Sequence, residues 1–330
     1  MHAIDNSTGS YAFAYAGDPA WHKLGKQVDP NQSLEQWQID AGMLFAIERR
    51  PLLFPVTNEH GQRVPRNLDN LFAHVRNDTQ QCIGTGSKKF NLVQPREILE
   101  FFRNIVSDSR YTIETVGVLD GGARYWALAK ANIDITLGNS GRDKIAPYLM
   151  LMTANDGSSK TRGQLTFIRV VCKNTMQQAL DARGEFGFSI SHASKFDPIK
   201  MQRELGLLDN GIEKYASDVD DLTQARWTTK DTAAFFASLY VKRDETGKIT
   251  NEKHAERTVN KLMSLFQTGP GAQFETANGT AFGAVNAVTR FVDYDTKAHT
   301  DENRFDSSQF GIGAQLKALA MSRALELVRA

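Results

Sequence analysis

Four successive runs of the chain read as strands: Tyr111 to Val118, Arg124 to Ile133, Tyr148 to Thr153 and Leu165 to Cys172. The first two are joined at Asp120-Gly121-Gly122 and the last two flank Asn155-Asp156-Gly157, both turn sequences that favour positive backbone dihedrals and antiparallel pairing. Four strands in a row predict an antiparallel meander with helices packed on one face. Upstream, Leu44 to Val56 looks extended, and Leu71 to Arg76 with Gln81 to Gly84 forms a second candidate pairing. Ser33 is placed to cap a short helix, and Pro95-Arg96-Glu97 opens another whose buried side is Ile98, Leu99, Phe101, Phe102, Ile105 and Val106.

Beyond the fourth strand the texture turns helical. Asn174-Thr175 is expected to cap a helix from Met176 to Arg183, Phe186 to Ile190 adds a strand, and Asp197-Pro198 starts a long helix. Along it Met201, Leu205, Leu208, Ile212, Tyr215, Val219 and Leu222 recur at alternating spacings of four and three, a heptad seam that serves either packing on the chain's own sheet or self-association. Further helices are predicted over Thr229 to Val241, Asn251 to Phe266, a small-residue stretch from Thr280, and Gly313 to Val328. The expected fold class is α+β, with a sheet domain over 1–195 and a mainly helical region over 196–330 packed on the sheet, or one continuous domain.

One residue interrupts the apolar pattern. Alternation along the fourth run puts Arg169 on the face shared by Leu165, Phe167 and Val171. An isolated buried cation costs several kcal/mol, so Arg169 needs either an internal carboxylate or an anionic ligand at an open end of the sheet.

At 330 residues the chain can bury a substantial core without staples. Its two cysteines, Cys82 and Cys172, suggest reduced core thiols rather than a disulfide framework or a zinc cluster. No leader-like start and no membrane-length apolar run is seen, so a cytoplasmic protein without a membrane partner is expected. The formal net charge of +1 argues against bulk electrostatic binding of nucleic acid, but charge is segregated. Between Arg142 and Lys173 the cations Arg142, Lys144, Lys160, Arg162, Arg169 and Lys173 are opposed only by Asp143 and Asp156.

Such a basic island beside Trp126, Tyr148 and other rings has the two components of a single-strand site: cations for any phosphate, rings for any base. A solvated loop tip over core aromatics accounts for the same residues. No histidine spacing of a zinc hydrolase occurs, and no nucleophile elbow. Asp293, Asp295, Asp301 and Glu302 are weak metal candidates that lack the glycine and terminal glutamate of a calcium loop. Gly84-Thr85-Gly86-Ser87-Lys88-Lys89 misses the phosphate-loop pattern and reads as a basic turn. No cofactor is implied.

Taken together, Trp21-His22-Lys23-Leu24-Gly25, Arg124-Tyr125-Trp126-Ala127-Leu128-Ala129-Lys130, Pro147-Tyr148-Leu149, Asn155-Asp156-Gly157-Ser158, Ile168 to Thr175 and Asn286 to Asp293 resemble the phage/plasmid-like family catalogued as domain of unknown function 932. The resemblance implies a protein of phages, plasmids or integrated elements. A meander followed by a long helix is also similar, at the level of fold, to Rad52-like strand-annealing proteins, which assemble on single strands. The function expected is therefore a non-enzymatic single-stranded DNA-binding and annealing protein that forms a homo-oligomer. Its phosphate contacts would be Lys160, Arg162, Arg169 and Lys173, with Arg142 and Lys144 beside them, and Tyr148 or Trp126 would stack. The alternatives are a protein that binds a host factor and a metal-dependent nucleic-acid enzyme.

Overall fold

The computed structural model describes residues 4–17, 24–107, 110–171, 174–177, 186–199, 201, 206–241, 244–246, 248–299, 304, 307–309 and 311–330. In chain order the strands are β1 (Phe13–Tyr15), β2 (Lys26–Gln27), β3 (Ile47–Thr57), β4 (Arg63–Arg76), β5 (Cys82–Ser87), β6 (Tyr111–Leu119), β7 (Arg124–Ala131), β8 (Ile135–Leu137), β9 (Asp143–Ala154), β10 (Thr161–Arg169), β11 (Asn174–Gln177) and β12 (Gly187–Ile190). The longer helices are α1 (Leu34–Asp40), α2 (Pro95–Ser107), α3 (Gly206–Gln224), α4 (Thr229–Tyr240), α5 (Glu252–Thr268), α6 (Ala281–Arg290) and α7 (Ile312–Arg329). The fold is α+β with a helical C-terminal half.

Strands hydrogen-bond in the order β11-β10-β9-β7-β6-β1-β2, with β12 on β10 and β8 on β9. A separate sheet has the order β3-β4-β5. The expected meander is the run β6, β7, β9, β10. At the first hairpin, Asp120 (φ 52), Gly121 (φ 65) and Gly122 (φ 99) supply the left-handed turn. Three-residue β1 joins this sheet by antiparallel pairing with β6, Phe13 opposite Gly117. So short a run carries too little pattern to be seen in the sequence.

Contacts divide the chain into two compact units. The first comprises Met1–Asn132, Leu149–Gln164 and Gly187–Gly206; the second comprises Ile133–Tyr148, Leu165–Phe186 and Leu207–Ala330. Strands β9 and β10 each begin in one unit and end in the other, so the expected single boundary after residue 195 does not describe the division. In the first unit α2 buries Ile98, Leu99, Phe101, Phe102 and Ile105, the side its periodicity predicts. Ser33 caps α1, its hydroxyl accepting from Gln36 N at 3.1 Å. In the second unit the heptad seam is internal: Tyr215, Val219 and Leu222 are fully buried, and Tyr215 stacks on Phe167 of β10 at 3.6 Å and 8°. Those positions are spent on the chain's own core.

Two expectations are corrected. Asn174 and Thr175 begin no helix; Asn174–Gln177 pairs antiparallel with Thr166–Arg169, giving the outer edge of β10 a strand neighbour. Sheet completion overrides the local capping signal, and residues 178–185 lie outside the described residues. Cys82 is exposed rather than a core thiol, standing where the β4–β5 register shifts. Cys172 lies outside the described residues.

Candidate nucleic-acid interface

The reversal between β9 and β10 is anchored from within the first unit. Asn155 is fully buried; its side chain accepts from Val93 N at 3.1 Å and donates to Val93 O at 2.7 Å and to the Tyr125 hydroxyl at 2.6 Å. Tyr125 donates to Val93 O, and burial raises its pKa well above the usual phenol value, which keeps that proton in place. The left-handed residue of the turn is Gly157 (φ 82), while Asp156 accepts from Ser158 N at 2.9 Å and Ser158 Oγ at 2.6 Å. Within the Asn155-Asp156-Gly157 triplet Gly157 thus supplies the positive dihedral, and Asn155 is a structural hub.

Three rings stand beside the turn. His74 is fully buried and its Nδ1 donates to Asn155 O at 2.6 Å. Burial lowers its pKa, opposed by that hydrogen bond and reinforced by Arg49 and His192, so the ring is neutral with its proton on Nδ1. Phe90 lies between two imidazoles, 4.7 Å from His74 and 4.2 Å from His192, the latter at an interplanar angle of 8°. His192 stacks on the Phe90 ring, His74 meets it at a tilt of 46°, and Phe90 itself is half-buried. His192 in turn joins two loops: Nδ1 lies 3.0 Å from Asn91 O, Nε2 lies 3.2 Å from Ser159 O, and its own carbonyl accepts from Asn91 N at 2.6 Å and Asn91 Nδ2 at 2.9 Å.

That bridge gathers cations. Lys88 and Lys89 immediately precede the Phe90-Asn91 side, Lys160 follows Ser159, and all three are exposed. Arg162, two residues on, is half-buried, and its Nε is buried with no acceptor. Among the described residues, no carboxylate forms an ion pair with any of these four. Lys160 lies in the turn the sequence suggests, whereas Arg162 is the second residue of β10, opposite Ser189 of β12. Lys88 and Lys89 are new members, visible in the sequence only as a basic turn, and nothing in their spacing from Lys160 points to the His192 bridge.

The remaining candidates are placed elsewhere. Arg169 has the carboxylate partner left open above: it forks onto Asp143, Nε to Oδ1 at 2.8 Å and Nη2 to Oδ2 at 2.5 Å, with both side chains fully buried in the second unit. Thr276 donates to the same carboxylate, Gly271 O accepts from Nη2 at 3.2 Å, and the ring of Phe282 lies 5.1 Å from the guanidinium carbon. This cation is consumed by the core. Arg142 and Lys144 are exposed in the second unit, Lys144 lying 3.8 Å from Asp134. Lys173 lies outside the described residues. Trp126 and Tyr148 are only 5% and 7% exposed, so neither offers a free ring face. Trp126 fills the space a Cβ on Gly117 would occupy.

Of the acidic candidates, Asp293 pairs with buried Lys317 at 2.8 Å and Asp295 with Lys261 at 3.1 Å, while Asp301 and Glu302 lie outside the described residues. Among the described residues no three His, Cys, Asp or Glu side chains gather as a metal site, and no helix is long and apolar enough to cross a membrane. What the site offers is positive charge on two loops tied together by His192, with Trp126 and Tyr148 both buried. No curated protein and no solved structure matches the chain. The family model described as domain of unknown function (DUF932) matches residues 82–309, which takes in the turn, the His192 bridge and the Arg169 core. The chain belongs to that family.

Proposed function

We propose that the protein is a non-enzymatic single-stranded DNA-binding protein of a phage or other mobile element, which holds the phosphate backbone at Lys88, Lys89, Lys160 and Arg162 and promotes annealing. The observation that carries this reading is the His192 bridge, which holds two basic loops together on a buried hydrogen-bonded base. Long lysine side chains on preset loops can follow a flexible strand by charge alone.

Burial of Trp126 and Tyr148, the two rings the sequence offers for stacking, alters the expected mode of binding. Ring stacking contributes about 1–3 kcal/mol per base, and this site forgoes it. Contacts made only to phosphates leave the base edges free to meet a complementary strand, which is what annealing requires. A stacking protein would have to surrender its bases first.

The test is binding of a labelled oligonucleotide across a salt series, followed by the rate at which complementary strands pair. The logarithm of affinity should fall with the logarithm of salt by about 0.7 per phosphate contacted. Lys160→Ala and Lys89→Ala should each lower that slope by about 0.7, to the same extent for every base sequence. A protein that causes no salt-sensitive shift ends the proposal, as does annealing no faster than in buffer.

A further inference from the structure

In the first unit, strands β3 and β4 run on past the sheet they belong to. β5 pairs with β4 only over Leu71–Val75, so among the described residues the pairs from Leu53↔Asn67 to Thr57↔Arg63 have no further strand beside them. No residue from Glu48 to Phe72 is buried. A two-stranded ribbon standing alone in water is marginally stable, so this arm calls for something to cover it.

Side-chain alternation sorts the arm into faces. Cross-strand partners share a face, and one face collects Phe54, Val56, Val64 and Leu68 with a single cation, Arg66. Phe54 and Leu68 are each 44% exposed. The edges are closed to strand addition: Pro55 pairs with Pro65, and prolines can face each other only where their missing N–H groups would point outward. Each edge therefore lacks a donor at the same level, and a partner must use the apolar face. Charge argues against nucleic acid there. Over residues 48–72 four arginines (Arg49, Arg50, Arg63, Arg66) stand against three carboxylates (Glu48, Glu59, Asp69), Arg50 is held by Glu48 at 2.5 Å, and Arg49 donates to Phe90 O.

The same unit carries a groove of about 630 Å³ between α1 and α2, floored by Leu44, Phe45 and Ala46. Leu34 and Ile39 line one wall and Leu99 the other, and Leu44 is 67% exposed. The floor is preset. Gln94 hydrogen-bonds both Ile47 N (2.9 Å) and Ile47 O (3.0 Å), Gln38 donates to Met43 O at 2.9 Å, and the Arg76 guanidinium lies 3.9 Å from the Phe45 ring centre. On the rim, Glu35 and Glu100 share Arg103, so an incoming cation such as Arg66 meets two carboxylates on one guanidinium.

An apolar projection and an apolar groove on one molecule invite a head-to-tail contact between copies. The arm cannot fill its own groove: the groove floor leads directly into Ile47, and seven residues of strand carry Phe54 roughly 23 Å away from it. We propose that the β3–β4 arm of one molecule docks by its Phe54 face in the α1–α2 groove of a second copy. The contact is heterologous, so repetition gives a ring where the rotation closes and a filament where it does not. It is independent of the DNA-binding reading, because it forms without nucleic acid and uses none of the basic loops.

Sedimentation of the whole protein without DNA tests it. Wild type should assemble in a concentration-dependent way, and Phe54→Asp (arm) and Leu44→Asp (groove) should each sediment as monomers with unchanged circular dichroism. Leu68→Asp and Ile39→Asp provide a second pair at other exposed positions. Mixing an arm variant with a groove variant leaves one intact arm and one intact groove, so the mixture should give dimers and nothing larger. A wild type that stays monomeric at high micromolar concentration overturns the proposal. So does a groove variant that assembles normally while the arm variant does not, which would mean arm-to-arm pairing.

Discussion

Asp143 and Arg169 pair in the second unit with both side chains fully buried, so removing either leaves the other as an uncompensated charge in the core. Replacing Asp143 by Ala leaves a buried guanidinium uncompensated and should cost about 3–5 kcal/mol, read as a fall in the urea midpoint. Asp143→Leu combined with Arg169→Met should recover much of that loss. His74 makes the corresponding test by pH. Burial depresses its pKa below the ordinary 6.5, so the fold prefers the neutral ring. Its contribution is complete above pH 6.5 and is lost as pH falls from there through the depressed value. His74→Asn, which keeps a donor for Asn155 O, should flatten that part of a thermal-midpoint profile; a slope identical to wild type would refute the assignment.

At the scale of elements, helix α6 shows why its run of small residues matters. A Cβ on Gly283 would lie 1.9 Å from Ala277 O and 3.2 Å from Phe266 Cε2, so the helix can take its place only with glycine there. Gly283→Ala should destabilise by at least the about 1–3 kcal/mol of an overpacked core, measured by denaturant unfolding. The sequence shows that small residues mean close approach, but not which carbonyl they approach. The meander, α2 and the heptad seam were legible because each repeats a period over many residues. The arm was half legible: Leu44 to Val56 looked extended, but Pro51, Pro55 and Pro65 make a poor strand signature and conceal its partner. Strand β11 was misread because a cap at Asn174 is a local signal, whereas its place beside β10 is a tertiary one. At the candidate site, Lys160 and Arg162 could be named from charge alone. The bridge could not, because His192 is a lone histidine in the sequence and the carbonyls it faces, at Asn91 and Ser159, carry no signature.

For the whole molecule, assembly through the arm predicts a pattern of amide exchange. Residues 53–57 and 63–67 should exchange rapidly in dilute monomer and become protected as concentration rises, while the Asn155 region is unchanged. The interleaving of the two units has a further consequence, in time. The first unit is incomplete until Gly206 has been made, and the second draws on segments from Ile133 to Ala330. The first unit can close once Gly206 is made, but by then Ile133–Tyr148 and Leu165–Phe186 of the second unit have already emerged and must wait for Leu207–Ala330 before their own unit can fold. A fragment ending at residue 195 would carry Phe167 without Tyr215 to cover it, and should be recovered as aggregate.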